Sequence, residues 1–207
     1  MKTGKAIEGA IRHAAQEMQS LSVIFSGSNP HLLRNMFEDE RRPLYKLCRK
    51  LVLDRISEDH YEKHLNKAAK LLWGAELTTS VFEKIMEVTE RHPYYVNYLC
   101  DELWSQNEKL PNIVNVNEAW DMVLEEDRSD LLKDFFLLSE NQRKIMIYIA
   151  NFGGKNLYSS DAAKKMDVSI SSISRGLSTL VEKDFIEKIN DDYRIIVPIY
   201  RKLLSNR

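Results

Sequence analysis

The residues with the clearest capacity for chemistry in this chain do not assemble into a catalytic constellation. His60 and His64 stand four apart, the spacing that puts two imidazoles on one helix face where a metal can reach both. No third ligand follows at a matching interval. Tyr61-Glu62-Lys63 between them does not make the metalloprotease pattern H-E-x-x-H, so the plainer interpretation is a solvated helix face. No serine sits in a G-x-S-x-G elbow. No G-x-x-x-x-G-K-[ST] phosphate loop occurs, and no apolar strand ends in a paired Asp-Asp or Asp-Glu that could hold a metal. What remains are groups suited to binding. Ser26 and Ser28 follow the apolar run Leu21 to Phe25. His92-Pro93-Tyr94-Tyr95 is a compact imidazole, proline and phenol cluster. Near the C-terminus Ser171, Ser172, Arg175 and Ser178, with Lys188 and Arg194, can bond phosphates or base edges.

The elements that must carry these groups are mostly helical. Ile7, Ala10, Ile11, Ala14, Ala15 and Met18 form a helical stripe over residues 5–19. Leu21 to Phe25 is short, apolar and β-prone, as a buried strand of a parallel sheet would be. Asn29-Pro30 opens a helix with Leu32, Leu33, Met36 and Phe37 on its apolar side. Arg41 and Arg42, beside Glu38, Asp39 and Glu40, read as a solvated pair on a loop, and Leu51 to Ile56 reads as a second strand. Ser57 caps a helix through Gly74, Thr79 or Ser80 starts the next, and Pro93 opens a third. A loop over residues 110–117 precedes a long helix capped by Asn117. Ser139 and Gln142 form a capping box, the start of a C-terminal domain.

That domain runs helix, helix, helix and hairpin. The helices hold Glu140 to Asn151, then Asp161 to Met166, then Ile170 to Val181; the strands Phe185 to Ile189 and Tyr193 to Val197 flank Asn190-Asp191-Asp192. The order is that of a winged helix-turn-helix. Ser171, Ser172, Arg175, Ser178 and Thr179 would face outward from its third helix. Lys188 and Arg194 would put positive charge on the wing, with Asp184, Glu187, Asp191 and Asp192 close by to oppose a DNA backbone. Contact with DNA and contact with a protein are both open.

Glycine and proline are scarce and the apolar fraction is ordinary, which argues for a folded, mainly α chain with minor β. A net charge of −1 selects neither nucleic acid nor membrane, although basic side chains outnumber acidic ones after Leu138. No run is long and apolar enough for a membrane span, and the N-terminal residues lack the apolar core of a signal peptide. Cys48 and Cys100 are too few and too distant for a disulfide framework or a zinc site. They read as buried thiols in a reducing cytoplasm.

In order and spacing, Ile24-Phe25-Ser26-Gly27-Ser28, Arg41-Arg42-Pro43-Leu44-Tyr45, His92-Pro93-Tyr94-Tyr95 and the C-terminal winged helix resemble the back half of an archaeal-type STAND/AAA+ ATPase of the P-loop NTPase class. The resemblance covers about Ala6 to Leu204. It implies three parts: a remnant of the nucleotide-binding α/β core at residues 1–56, a helical lid at 57–138 and a winged helix at 139–207. It also implies that Ser26 or Ser28 is the sensor-1 residue facing the nucleotide phosphates. His92, Pro93 and Tyr94 would lie on the adenine side, with Arg91 where the family has glycine. ATP and Mg would bind in the parent family and neither tightly here, so this chain alone should not hydrolyse ATP. The strands at 21–25 and 51–56 would lack the strand that lies between them in the family, and self-association through them is expected. Other functions considered are a DNA-binding regulator and a protein-interaction adaptor.

Overall fold

Serine, threonine and asparagine set many of the helix starts, because each offers an oxygen to amides that a helix leaves without partners. In the computed structural model they do so at Thr78, Asn112, Ser139, Ser159 and Ser169. The structure describes every residue except Met1, Gln19, Ser28, Asn29, Val52, Asp54, Asn206 and Arg207, together with the side chains of Lys2, Thr3, Pro30 and His31. The chain divides into two units, Met1–Leu53 and Asp54–Arg207.

The first unit holds α1 (Lys2–Glu17), α2 (Pro30–Glu38) and a turn-rich segment after it. Its fixed point is ionic. Glu8 on α1 is buried and pairs with Arg42. Arg12 donates to the carbonyls of Pro43 (2.7 Å) and Tyr45 (3.0 Å), and Leu44 between them is fully buried. A carboxylate this far from water persists only when paired. Arg42 is therefore not the solvated residue that its acidic neighbours suggest; Arg41 is, and pairs with Asp39.

The two expected strands are absent among the described residues. Residues 21–27 are neither helix nor strand, as are Leu51, Leu53, Arg55 and Ile56; Val52 lies outside the described residues. A strand exists through its ladder, and among the described residues neither segment pairs with another. Their apolar side chains stand in water instead: Ile24 is 92% exposed and Leu53 85%. The helix expected from Asn29-Pro30 is α2, with Asn29 outside the described residues.

The second unit is mainly α with minor β. It runs α3 (Glu58–Trp73), α4 (Thr79–Thr89), α5 (Pro93–Gln106), α6 (Ile113–Phe136), α7 (Glu140–Phe152), α8 (Ser160–Met166), α9 (Ile170–Glu182), β1 (Ile186–Ile189), β2 (Asp192–Ile195) and α10 (Ile199–Leu204). Ser57 precedes α3 and Gly74 ends it in the left-handed conformation. The box of Ser139 and Gln142 starts α7. The long helix begins five residues before the expected Asn117, because Asn112 accepts from the amides of Val114 and Asn115 while Asn115 returns a bond to the Asn112 amide. The strands pair antiparallel, Ile186 opposite Ile195 and Ile189 opposite Asp192, with Asn190 at φ 56° in the turn.

One core runs from Tyr61 to Leu204. Ile85, Val96, Leu99, Leu103 and Val123 fill it between α4, α5 and α6; Ile145, Ile173, Leu180, Ile186 and Ile199 continue it through α7, α9, β1 and α10. The unexpected helix α10 joins the two regions. Tyr200 Oη donates to the Leu131 carbonyl on α6 (3.1 Å), and Asn151 on α7 donates to the Leu204 carbonyl (3.1 Å). Cys100 lies in this core, where burial pushes its thiol up to about 12. Cys48, expected to be buried, is exposed. No helix among the described residues is long and apolar enough to cross a membrane.

Candidate functional site

The turn between α4 and α5 has an unusual backbone. Glu90 (φ 48°) and Arg91 (φ 56°) are both left-handed, a conformation that costs non-glycine residues roughly 1–2 kcal/mol each. Arg91 thus keeps the backbone shape that glycine adopts most easily. Ion pairs hold the turn: Glu90 with Arg201 of α10 at 3.1 Å, and Arg91 with Glu58 of α3 at 3.9 Å. The reversal sets His92 as the N-cap residue of α5 and Pro93 in its first turn, where a missing amide hydrogen leaves nothing unsatisfied.

From here α5 sorts its aromatic residues by face. Pro93 and Tyr94 are exposed and Tyr95 is buried. Tyr94 meets Tyr95 edge to face (centroids 5.0 Å), and Tyr95 meets His92 (5.3 Å) and Trp120 of α6 (5.8 Å) in the same manner. Tyr95 Oη donates to Asp127 (3.4 Å), and Tyr98 donates to Glu126. Burial raises the pKa of Tyr95 and of Asp127; the carboxylate bond, ahead of burial, raises that of Tyr98. Tyr95 and Tyr98 therefore stay protonated donors at neutral pH.

Among the described residues two buried side-chain polar atoms have no hydrogen-bond partner: Tyr61 Oη on α3 and Nδ1 of His92. Unmet buried polar atoms are costly, so each is a point where a ligand atom would be welcome. Arg55, whose guanidinium donates to the Ile196 carbonyl (3.2 Å), exerts its charge on both. Burial first, and the Arg55 charge second, hold His92 below the usual histidine range. Burial also raises Glu90, against the pull of Arg201, Arg55 and Arg194.

A pH dependence follows from His92. A folded pKa below the unfolded one means that the unfolded chain binds the proton first. Stability should therefore fall as pH drops from about 6.5 toward the depressed folded value. Urea midpoints of the wild type and of His92→Gln, compared at pH 7.5 and 5.5, isolate this part. The wild type should lose more than the variant; equal losses would mean that His92 is not buried in its neutral form.

The remaining sequence candidates are placed as follows. Ser26 is exposed in the irregular segment 21–27, and Ser28 lies outside the described residues. His60 and His64 are exposed, with His60 Nδ1 2.6 Å from Ser57 Oγ. No group of three metal-ligating side chains occurs among the described residues. On α9, Ser171, Arg175 and Ser178 are exposed while Ser172 and Thr179 are half-buried. Ser169 donates to Ser172 (2.9 Å), and Arg175 donates back to the Ser171 carbonyl (3.3 Å). Lys188 pairs across the hairpin with Tyr193 and Arg194 with Glu187, so Lys188 and Arg194 lie on opposite faces and cannot form one basic wing surface. Tyr61, Glu126 and Asp127 were not apparent from sequence. Their only signal is that buried tyrosines need polar partners from somewhere.

Among solved structures, a Walker-type ATPase of Pyrococcus abyssi is similar to this chain with a TM-score of 0.74 at 16% sequence identity. The match covers 97% of this chain and 57% of that one, so this chain spans little more than half the length of its neighbour. At that identity the likeness establishes a shared fold. No protein-family model matches the sequence, and no curated protein matches it.

Proposed function

We propose that this chain is the lid and winged-helix part of a nucleotide-dependent switch of the STAND/AAA+ kind. Residues 1–56 are a remnant of its nucleotide-binding core, 57–138 its lid and 139–207 its winged helix, working in the cytoplasm. The observation that carries the reading is the fold shared with a Walker-type ATPase over nearly the whole chain. The α4–α5 turn supports it locally, because it sets His92, Pro93 and Tyr94 at a helix start, with the buried Nδ1 of His92 unpartnered.

These residues fit an adenine base. The exposed proline ring and phenol each offer a face to a base, while Nδ1 of His92 and Oη of Tyr61, both closed to solvent, would meet its polar edge only once the turn opens. They do not fit the Mg-triphosphate, for which the sequence has no phosphate loop and no acidic strand. The chain alone should therefore hold ATP weakly and not hydrolyse it. Titration of the labelled protein with ATP should move amide signals of Arg91 to Tyr95 and of Tyr61. Shifts confined to residues remote from these would sink the adenine assignment.

A second reading, contact with DNA or a protein partner through the winged helix, draws on the exposed Ser171, Arg175 and Ser178 of α9. Self-association through the first unit draws on the exposed Ile24, Leu51 and Leu53.

A further inference from the structure

The loop after α7 and the β1–β2 hairpin enclose an open groove of about 840 Å³ that the nucleotide reading leaves unused. Tyr148, Phe152, Tyr158 and Tyr193 line it together with Lys155 and Lys188. Its rings are ordered against one another. Tyr148 and Phe152 lie 5.0 Å apart between centroids, and the hydroxyls of Tyr158 and Tyr193 are 3.2 Å apart. Two of the four are open to water: Phe152 is 65% exposed and Tyr158 45%. Lys165 stands over the exposed Phe152 at 5.2 Å, and Lys188 over the buried Tyr193 at 5.6 Å. Lys155 is exposed on the rim. Of the acids nearby, Asp161 is engaged by Lys165 at 3.2 Å, which leaves Asp191 at the hairpin tip. The loop is held in place by the Tyr193 amide, which donates to the Gly154 carbonyl (3.2 Å).

Exposed ring faces flanked by lysines are the two parts of a single-strand platform. Bases stack on aromatic faces, and ammonium groups follow the phosphates. A duplex offers no free base faces to such rings, and the local excess of lysine over acid suits a polyanion better than an acid-poor peptide. We propose that this groove binds single-stranded nucleic acid, with bases stacked on Phe152 and Tyr158 and phosphates beside Lys155 and Lys188. The proposal stands apart from the nucleotide-switch reading and does not need it.

The test is fluorescence anisotropy of a labelled twelve-nucleotide oligothymidine with the full chain at low salt, beside a duplex of equal length. The single strand should bind, and bind more tightly than the duplex. Phe152→Ala and Tyr158→Ala should each weaken it roughly 5- to 150-fold, the range for losing one stacked base. Tyr158→Phe, which keeps the ring, should bind as the wild type does. Replacing Lys155 and Lys188 by glutamine should flatten the dependence of log affinity on log salt by about 1.4. Both rings are exposed, so the alanine variants should fold, as circular dichroism will check; should Tyr158→Ala not fold, Phe152→Ala and Tyr158→Phe still decide. Absence of binding at low salt, preference for the duplex, or unchanged affinity in folded Phe152→Ala would each overturn the proposal. A protein partner captured by a chain that ignores the single strand would overturn it too.

Discussion

Gly154→Ala should destabilise the protein by more than about 3 kcal/mol, the range of substitutions that force a clash in a buried backbone. A methyl group at this position would stand 1.8 Å from the Tyr193 carbonyl oxygen and 2.6 Å from its carbon. Both belong to the backbone of β2, so relief requires the hairpin to move away from α7. Gly154 is buried, and its carbonyl accepts the Tyr193 amide, so that movement also breaks a hydrogen bond. Gly176 is the useful contrast. Its added methyl would meet Cδ1 of Ile145 at 2.5 Å, the far end of a side chain that can turn, and alanine favours the helix that contains it. Gly176→Ala should therefore change stability by only about 1–2 kcal/mol. Urea unfolding of both variants separates the two cases; similar midpoints would show that the hairpin yields more easily than its contacts imply.

Leu99→Ala should cost roughly 2–5 kcal/mol, as full truncation of a buried leucine does. Leu99 is fully buried on α5, in the core shared with α4 and α6. The same helix carries Tyr95, whose ring meets Trp120 and whose hydroxyl bonds Asp127, so a cavity at Leu99 loosens the support of the whole His92-to-Tyr98 surface. Leu99→Met, which nearly conserves volume, should stay within about 1.5 kcal/mol of the wild type. Chemical unfolding followed by tryptophan fluorescence measures both. A loss below about 1 kcal/mol in the alanine variant would mean that the site collapses freely and that α5 is not held by packing.

Much of the helical part was legible from local signals. The Ser57 start, the Ser139–Gln142 box and Pro93 at a helix start are decided within a few residues, and the structure has all three. The strands at 21–25 and 51–56 were misread for the opposite reason: apolar, β-prone residues make a strand only where another strand lies alongside. The cap at Asn112 is masked in the sequence by β-branched Ile113, Val114 and Val116, which disfavour a first helical turn, though the reciprocal Asn112–Asn115 bonds make one. The site divides in the same way. His92 and Pro93 could be singled out from their own neighbours. Glu8 against Arg42, and Asp127 against Tyr95, are pairs more than thirty residues apart that only the folded chain brings together.

Helix α10 has a consequence for the order in which this protein can be made. Its Tyr200 reaches back 69 residues to Leu131, and Arg55 reaches forward 141 residues to Ile196 just before it. A chain leaving the ribosome from its N-terminus can form α3 to α6 early from neighbouring segments. The core beneath them stays open on one side until Ile199, Tyr200, Leu203 and Leu204 have emerged. Final closure of the second unit therefore waits for α10, and until it has emerged the apolar face is exposed to whatever else is nearby.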